Sequence, residues 1–367
     1  MGLLTARGAF LGKDAHGRVR TLFDRSRTMS WYSNYLHEIG CGKRRTQGAF
    51  ASLRNSMCEA GAFARFMRTL DIKPKRVKDT PAFAIFLYIQ HCVARGVAPG
   101  TVRNTATELR CALRRAGRNI DYLTNSAMGL SSRDRNGQKR ALMPSEVDAF
   151  VARAARLNTG FALLIMLQRL LGLRRLEGLR SAPDLQLWLD RITAGSHTVS
   201  VTRGAKGGRP RTVTILMQRR EQTIHVLHSA VEYCNANGGR LITGRRNSLE
   251  SALNRLKALY TAIGMTGQTS SHAARYTYAQ DKALEYIQSG MEEHAVLVHV
   301  SADLGHGPSR QSFTARVYLR GILSHFSRIM QGSRFMGCAR YLDEVLNDQR
   351  SPNSTEKTRR KSRWGKK

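Results

Sequence analysis

Acidic residues are scarce in this chain. Its 367 residues include 26 Asp and Glu against 60 Lys and Arg, a formal net charge of +34, and no carboxylate cluster suited to magnesium stands out. Cysteine is sparse as well. Cys41, Cys58, Cys92, Cys111, Cys234 and Cys338 are isolated, with no CxxC pair and no Cys/His cluster at metal spacing. That scatter argues against a zinc site or a disulfide framework and fits reduced thiols in a cytosol. Long apolar runs are missing too. The longest, Phe161 to Leu167, is far too short to span a bilayer. The opening MGLLTARGAFLGK is broken by arginine and lysine, so no signal peptide is expected. A phosphate-binding GxxxxGK[ST] loop and internal repeats are also lacking. The expectation is a soluble, cytoplasmic protein of a prokaryote, associated with the nucleoid, with no membrane partner and no motif that calls for a cofactor or metal.

What is abundant is positive charge, and its natural partner is a polyanion, because releasing condensed counterions drives phosphate binding. A hydrophobic content of 41% leaves enough apolar residues for true cores. Charge alone does not separate DNA from RNA, or an enzyme from a protein that coats phosphate. The length suggests two domains.

Residues 1–27 read as a polar, basic, loosely ordered arm. From 28 to 130 the pattern is helical. FAIFLYIQHCVARG reads as one helix, and APGTVRNTATELRCALRRAG as another, with Thr101 as N-cap and Gly117 as stop. Val102, Ala106, Leu109 and Leu113 line one face of that helix, leaving Arg103, Arg110 and Arg114 opposite as a basic face, either plain solvated charge or, if the partner is DNA, a DNA-contacting one. The run 131–140 is polar and reads as a linker. From 141 to 332 a second domain follows. LMPSEVDAFVARAAR opens it as a helix starting at Pro144 or Ser145, and FALLIMLQRLLGL is apolar nearly all round, as in a central helix. LQLWL and HTVSVTRGAKGGRPRTVTI suggest a small sheet, with AKGGRP as a hairpin turn. Residues 333–367 read as a helix with an apolar stripe (Phe335, Ala339, Leu342, Leu346) and a basic tail.

The chemistry-bearing residues lie in the second domain. Ser271 to Leu319 contains HAAR, DLGHG and RVYL, placing His272, Arg275, His306 and Tyr318 in an order that suits attack of a tyrosine on a phosphodiester. Such a reaction needs its non-bridging oxygens neutralised, a nucleophile held in line and a proton for the departing oxygen. Upstream, LLGLRRLEGL offers Arg174 and RGAKGGRPR offers Lys206. Taken singly, each is ordinary: Arg174 and Glu177 make an i, i+3 surface pair, and Lys206 is a solvated turn lysine.

Together, in this order, the motifs resemble the tyrosine recombinase (lambda-integrase-like) family. The resemblance implies a mainly α fold with a small β-sheet: a helical core-binding domain and a catalytic domain forming a C-shaped clamp on DNA. It implies Arg174 and Arg275 as the phosphate clamp, Glu177 as their support, Lys206 as general acid, His306 as a donor to a non-bridging oxygen and Tyr318 as nucleophile. His272 would bond a phosphate oxygen or take the phenolic proton, and Arg209 and Arg211 would contact DNA. The implied activity is site-specific recombination through a 3′-phosphotyrosine, for integration or excision of a mobile element. Its partners would be double-stranded DNA, a homotetramer on two duplexes and DNA-bending accessory proteins. Tyr318 lies 318 − 306 = 12 positions after His306, where the family commonly has nine, so a longer loop is expected between them. Tyr276, Tyr278 and Tyr341 are the other tyrosines that bear on the choice of nucleophile. A type IB topoisomerase or a catalytically silent DNA-binding protein of the same fold are the alternatives.

If the +34 charge is a DNA footprint, affinity for a labelled duplex should fall linearly in log K against log[salt], with a slope near −0.9 for each phosphate neutralised. Fluorescence anisotropy across a salt series measures it, and a flat line refutes it.

Overall fold

A helix that is apolar on every side must sit inside a core, and Thr159–Leu171 (α6, below) does so. Phe161, Leu164, Ile165, Leu167, Leu170 and Leu171 are all without solvent exposure. In the computed structural model the described residues are 10–13, 19–21, 31–44, 50–130, 139–307 and 310–326. The chain divides into two units, Met1–Asp134 and Arg135–Lys367. The stripe at Phe335, Ala339, Leu342 and Leu346, the basic tail and Tyr341 lie outside the described residues.

The first unit begins with a feature the polar composition of the arm did not suggest. Strands β1 (Phe10–Lys13) and β2 (Val19–Thr21) pair antiparallel, Gly12 opposite Arg20 and Lys13 opposite Val19. Backbone pairing of this kind satisfies N–H and C=O groups whatever the side chains are. Four helices follow: α1 (Trp31–Arg44), α2 (Phe50–Thr69), α3 (Ala82–Ala94) and α4 (Pro99–Arg115). Ile39, Phe63, Met67, Ile85, Ile89 and Leu113 meet in their core. Helix α4 starts two residues before Thr101, with Ala98 as N-cap and Pro99 in the first turn. Proline suits that position because its missing N–H would have had no helical partner.

The basic face of α4 is not free. Arg103 Nη1 donates to Leu130 O at 3.2 Å, and Arg110 donates to Leu123 O at 2.6 Å and Asn125 Oδ1 at 2.8 Å. Arg114 pairs with Asp121 at 3.1 Å. The chain after α4 folds back along the helix, and its carbonyls need donors, which these guanidiniums supply. The expected DNA-contacting face is therefore largely used to fasten residues 121–130.

In the second unit, α5 (Pro144–Leu157) starts where proline and glutamate dictate, with Glu146 Oε2 accepting from Met143 N at 2.9 Å. After α6 (Thr159–Leu171) come α7 (Arg175–Arg180) and α8 (Leu185–Thr193). LQLWL, expected as a strand, lies in α8. Over five residues it alternates, but Leu185, Trp188, Leu189 and Ile192 are the buried set, which is helical spacing. The hairpin forms as expected: β3 (Thr198–Val201) pairs antiparallel with β4 (Arg211–Thr214), Val199 opposite Val213 and Val201 opposite Arg211. Then follow α9 (Arg220–Ala236), α10 (Leu249–Ala262), α11 (Ala273–Gln288), α12 (Glu293–Asp303) and α13 (Gln311–Tyr318). The fold is mainly helical with a small two-stranded sheet in this unit, the α+β class expected.

The hairpin is seated against α7 by Gly204, whose φ is +73° and whose added Cβ would lie 2.6 Å from Leu176 O. A Gly204→Ala substitution should lower stability by about 2 kcal/mol, from left-handed strain and the clash together. A fall in the urea midpoint is the readout.

Candidate active site

The site grows from the end of α6. Gly172 adopts the left-handed conformation (φ 55°) and stops the helix. A Cβ there would run into the Tyr278 ring. The turn frees the Gly172 carbonyl, which accepts from Arg275 Nη1 at 2.5 Å and Arg211 Nη2 at 3.1 Å. Two residues on, Arg174 is the N-cap of α7, and its N–H donates to Glu177 Oε2 at 2.7 Å.

Glu177 has no exposed side-chain surface and faces three guanidiniums. Arg174 Nη1 stands 2.5 Å from its Oε1, Arg211 Nη2 2.8 Å from its Oε2, and Arg275 Nη1 3.9 Å from its Oε2. Burial opposes its ionisation, yet the Arg211 and Arg275 guanidiniums and the Arg174 N–H outweigh that and hold the carboxyl at about 2. A second anchor is the C-terminal end of α12. Leu304 O accepts from Arg174 Nη2 at 3.0 Å and also from Arg275 Nη2, and Asp303 O accepts from Arg211 Nη1. The Asp303 carboxylate is in turn held to β4 by Thr214 N and Thr214 Oγ1, each donating at 3.0 Å.

Arg275 is completely buried. Burial, with Arg211 beside it, pushes its guanidinium down to about 9, still protonated at neutral pH. Its Nε is buried and has no hydrogen-bond partner among the described residues. The cluster carries three positive charges against one negative, an excess of two (3 − 1 = 2). A buried cationic excess with an unused donor is suited to an anion.

The imidazoles and the phenol complete the site. His272, at the N-terminus of α11, has Nε2 2.9 Å from Tyr318 Oη. His306 has Nδ1 3.3 Å from Thr314 Oγ1 on α13. Burial, followed by the charges of Arg275 and Arg174, pushes His272 down to about 4 and His306 to about 3. Both rings are therefore neutral at pH 7, and His272 Nε2 can accept the phenolic proton. Tyr318 is packed between the rings of His306 (centroids 5.1 Å) and Tyr276 (4.5 Å), and the Arg275 Cζ is 6.0 Å from its centroid.

Of the residues expected here, Arg174, Glu177, His272, Arg275, His306 and Tyr318 come together. Lys206 stays exposed in the hairpin turn, two residues beyond Gly204, outside this hydrogen-bonded cluster, and Arg209 is exposed beside it. Arg211, expected to contact DNA, instead is buried and braces Glu177. Strand parity carried the signal: Arg211, Val213 and Ile215 alternate onto the same buried face. Thr314 and the carbonyls of Gly172, Asp303 and Leu304 were not anticipated: main-chain acceptors leave no trace in residue identity, and the Thr314 hydroxyl meets His306 only through the packing of α13. Tyr278 Oη is engaged by Thr214 O at 2.6 Å, and Tyr276 is pushed up to about 12 by burial and by Tyr318.

Residues 129–281 match the family model described as Integrase, and residues 29–121 that described as Phage integrase, N-terminal. The chain belongs to the phage-integrase family of tyrosine recombinases. No curated protein matches the sequence. Among solved structures, a lambda integrase dimer bound to a COC′ core site is 14% identical, covers 83% of this chain and 79% of its own, and has a TM-score of 0.50. The Tn1549 transposon integrase in complex with transposon right end DNA is 14% identical over 85% of this chain and 99% of its own, with a TM-score of 0.46. XerH recombinase bound to a palindromic difH substrate is 16% identical over 80% and 83%, at 0.47. At these identities the likeness is one of fold.

Titration of the recombinase without DNA should show the site's electrostatics directly. The His272 and His306 rings should remain neutral by NMR through pH 5, because their folded values of about 4 and about 3 lie below the ordinary 6.5. The unfolded chain binds these protons first, so the fold loses stability as pH falls from about 6.5 towards 4. Midpoints near 6.5 for both rings would contradict the burial.

Proposed function

We infer that this recombinase cleaves and rejoins duplex DNA at a specific site, using Tyr318 as nucleophile, to integrate or excise a mobile element. One observation carries the reading: Tyr318 Oη sits 2.9 Å from a neutral histidine nitrogen, beside a buried cluster whose positive excess suits a phosphodiester.

The steps follow from that geometry. A scissile phosphate seated against Arg174 and Arg275 has its non-bridging oxygens neutralised as charge develops, and His306 donates to one of them. Tyr318 Oη attacks phosphorus while its proton passes to His272 Nε2. The new O–P bond forms as the bond to the 5′-oxygen breaks, leaving a 3′-phosphotyrosine and a free 5′-hydroxyl. Lys206, on the exposed hairpin turn, supplies the proton to that oxygen, work that typically gives about 10²–10⁴-fold. The 5′-hydroxyl of the partner strand reverses the step. The phosphotyrosine preserves the bond energy, so no nucleotide hydrolysis is needed. Duplex DNA is the partner, held by both domains, with four subunits on two duplexes and bending proteins assisting. Support for turnover over a silent binding protein is the nucleophile already in contact with its base; a topoisomerase role has no observation in its favour.

The test is a suicide substrate built from DNA flanking the gene. The wild-type chain should form a denaturant-resistant adduct, and Tyr318→Phe should form none while its DNA affinity stays within about twofold, since only the nucleophilic oxygen is lost. An adduct in the Tyr318→Phe protein would move the nucleophile elsewhere.

A further inference from the structure

The twelve-residue interval between His306 and Tyr318 was expected as a longer loop, but most of it after 310 is helix α13 (Gln311–Tyr318). On that helix Gln311, Thr314 and Tyr318 follow at spacings of three and four, and all three are buried, so they share its inward face. Tyr318 Oη meets His272 Nε2 at 2.9 Å, and one turn earlier Thr314 Oγ1 meets His306 Nδ1 at 3.3 Å. A single helix thus touches both imidazoles.

The contact at His306 has a direction. A threonine within a helix commonly gives its hydroxyl proton to the carbonyl four residues back. Thr107 does so to Arg103 O at 2.8 Å, Thr223 to Arg219 O at 2.9 Å and Thr277 to Ala273 O at 3.1 Å. Thr314 makes no such bond among the described residues, and its side chain is without solvent exposure. Among the described residues, the acceptor within reach of its hydroxyl proton is His306 Nδ1. A neutral imidazole carries one proton, so a ring that accepts at Nδ1 must carry it at Nε2. His306 Nε2 has no partner among the described residues, so it is the nitrogen left for substrate.

We propose that Thr314 is a positioning residue that locks His306 in its Nε2–H tautomer, so that this ring donates to the phosphate rather than repelling it with a lone pair. The proposal deepens the reading of Tyr318 as nucleophile and rests on it for its catalytic meaning. Because Thr314 and Tyr318 share α13, docking the nucleophile and setting the proton on His306 are one event. A helix that withdraws Tyr318 also leaves His306 free to take the other tautomer.

Thr314→Val keeps the branched shape without a donor, and Thr314→Ser keeps the donor without the methyl. The first readout is independent of activity: ¹⁵N NMR of histidine-labelled full-length protein, with His306 assigned from the spectrum of His306→Gln. Wild type and Thr314→Ser should show His306 protonated at Nε2, and Thr314→Val should shift towards Nδ1–H. The second is single-turnover cleavage of the suicide substrate. Thr314→Val should fall about 10- to 100-fold at unchanged DNA affinity and Thr314→Ser should stay within about twofold of wild type, a fraction of what a positioned proton donor contributes. A Thr314→Val protein that keeps both the Nε2–H tautomer and its rate overturns the proposal. So does a Thr314→Ser protein that fails as Thr314→Val does, since packing by the methyl is then the residue's role. Should the wild-type chain form no adduct at all, the nucleophile assignment falls while the tautomer spectra still decide the role of Thr314.

Discussion

The carboxylate of Glu177, wholly buried among Arg174, Arg211 and Arg275, is the interaction on which the rest of the site depends. Three guanidiniums cannot be packed together in a low-dielectric interior without an anion between them. One carboxylate makes the cluster tolerable and leaves it short of negative charge. Removing a partner from a buried ionic group of this kind typically costs about 3–5 kcal/mol, because an uncompensated charge stays behind. The remaining positive excess is where substrate binding energy can come from. The same four side chains therefore carry both the cluster's stability and its positive excess.

The guanidiniums are aimed as well as charged. Gly172 O, Asp303 O and Leu304 O accept from them, and each carbonyl stands where a helix ends, α6 for the first and α12 for the other two. Carbonyls at helix C-termini lack intrahelical donors and carry partial negative charge. An arginine meeting them satisfies both needs. The Asp303 side chain, held by Thr214 of β4, fixes the end of α12 against the hairpin that also carries Lys206. The sheet is small, but its strand β4 reaches the cluster twice, through Arg211 to Glu177 and through Thr214 to Asp303.

The large basic excess divides into two uses. Arg211 and Arg275 are interior, Arg169 is paired with Asp281 in a mostly buried position, and Arg103, Arg110 and Arg114 fasten the chain that follows α4. A count of Lys and Arg treats all of these as surface charge. Distinguishing them needs the neighbours that each meets in three dimensions, because a long cationic side chain suits either a solvated face or a row of carbonyls.

The sequence by itself determined the order of the candidate site residues and where helices α3, α4, α5 and α6 run. The buried helix after Asn158, the hairpin around AKGGRP, and His272 and Arg275 one turn apart were all legible, because periodicity, turn residues and i, i+3 spacing are local properties. LQLWL was misread because five residues are too few to separate a period of two from 3.6, and its partners in α8 lie beyond that window. Arg211 looked like a DNA contact until burial assigned it to Glu177, although its parity with Val213 and Ile215 was already in the strand. Only the tertiary structure decided that Thr314 faces His306, that Tyr318 rests on His272, and that three carbonyls aim the arginines. Those contacts join residues 8 to 130 positions apart. A hydrogen bond between distant residues is set by how helices pack and where they end, which residue order alone does not record.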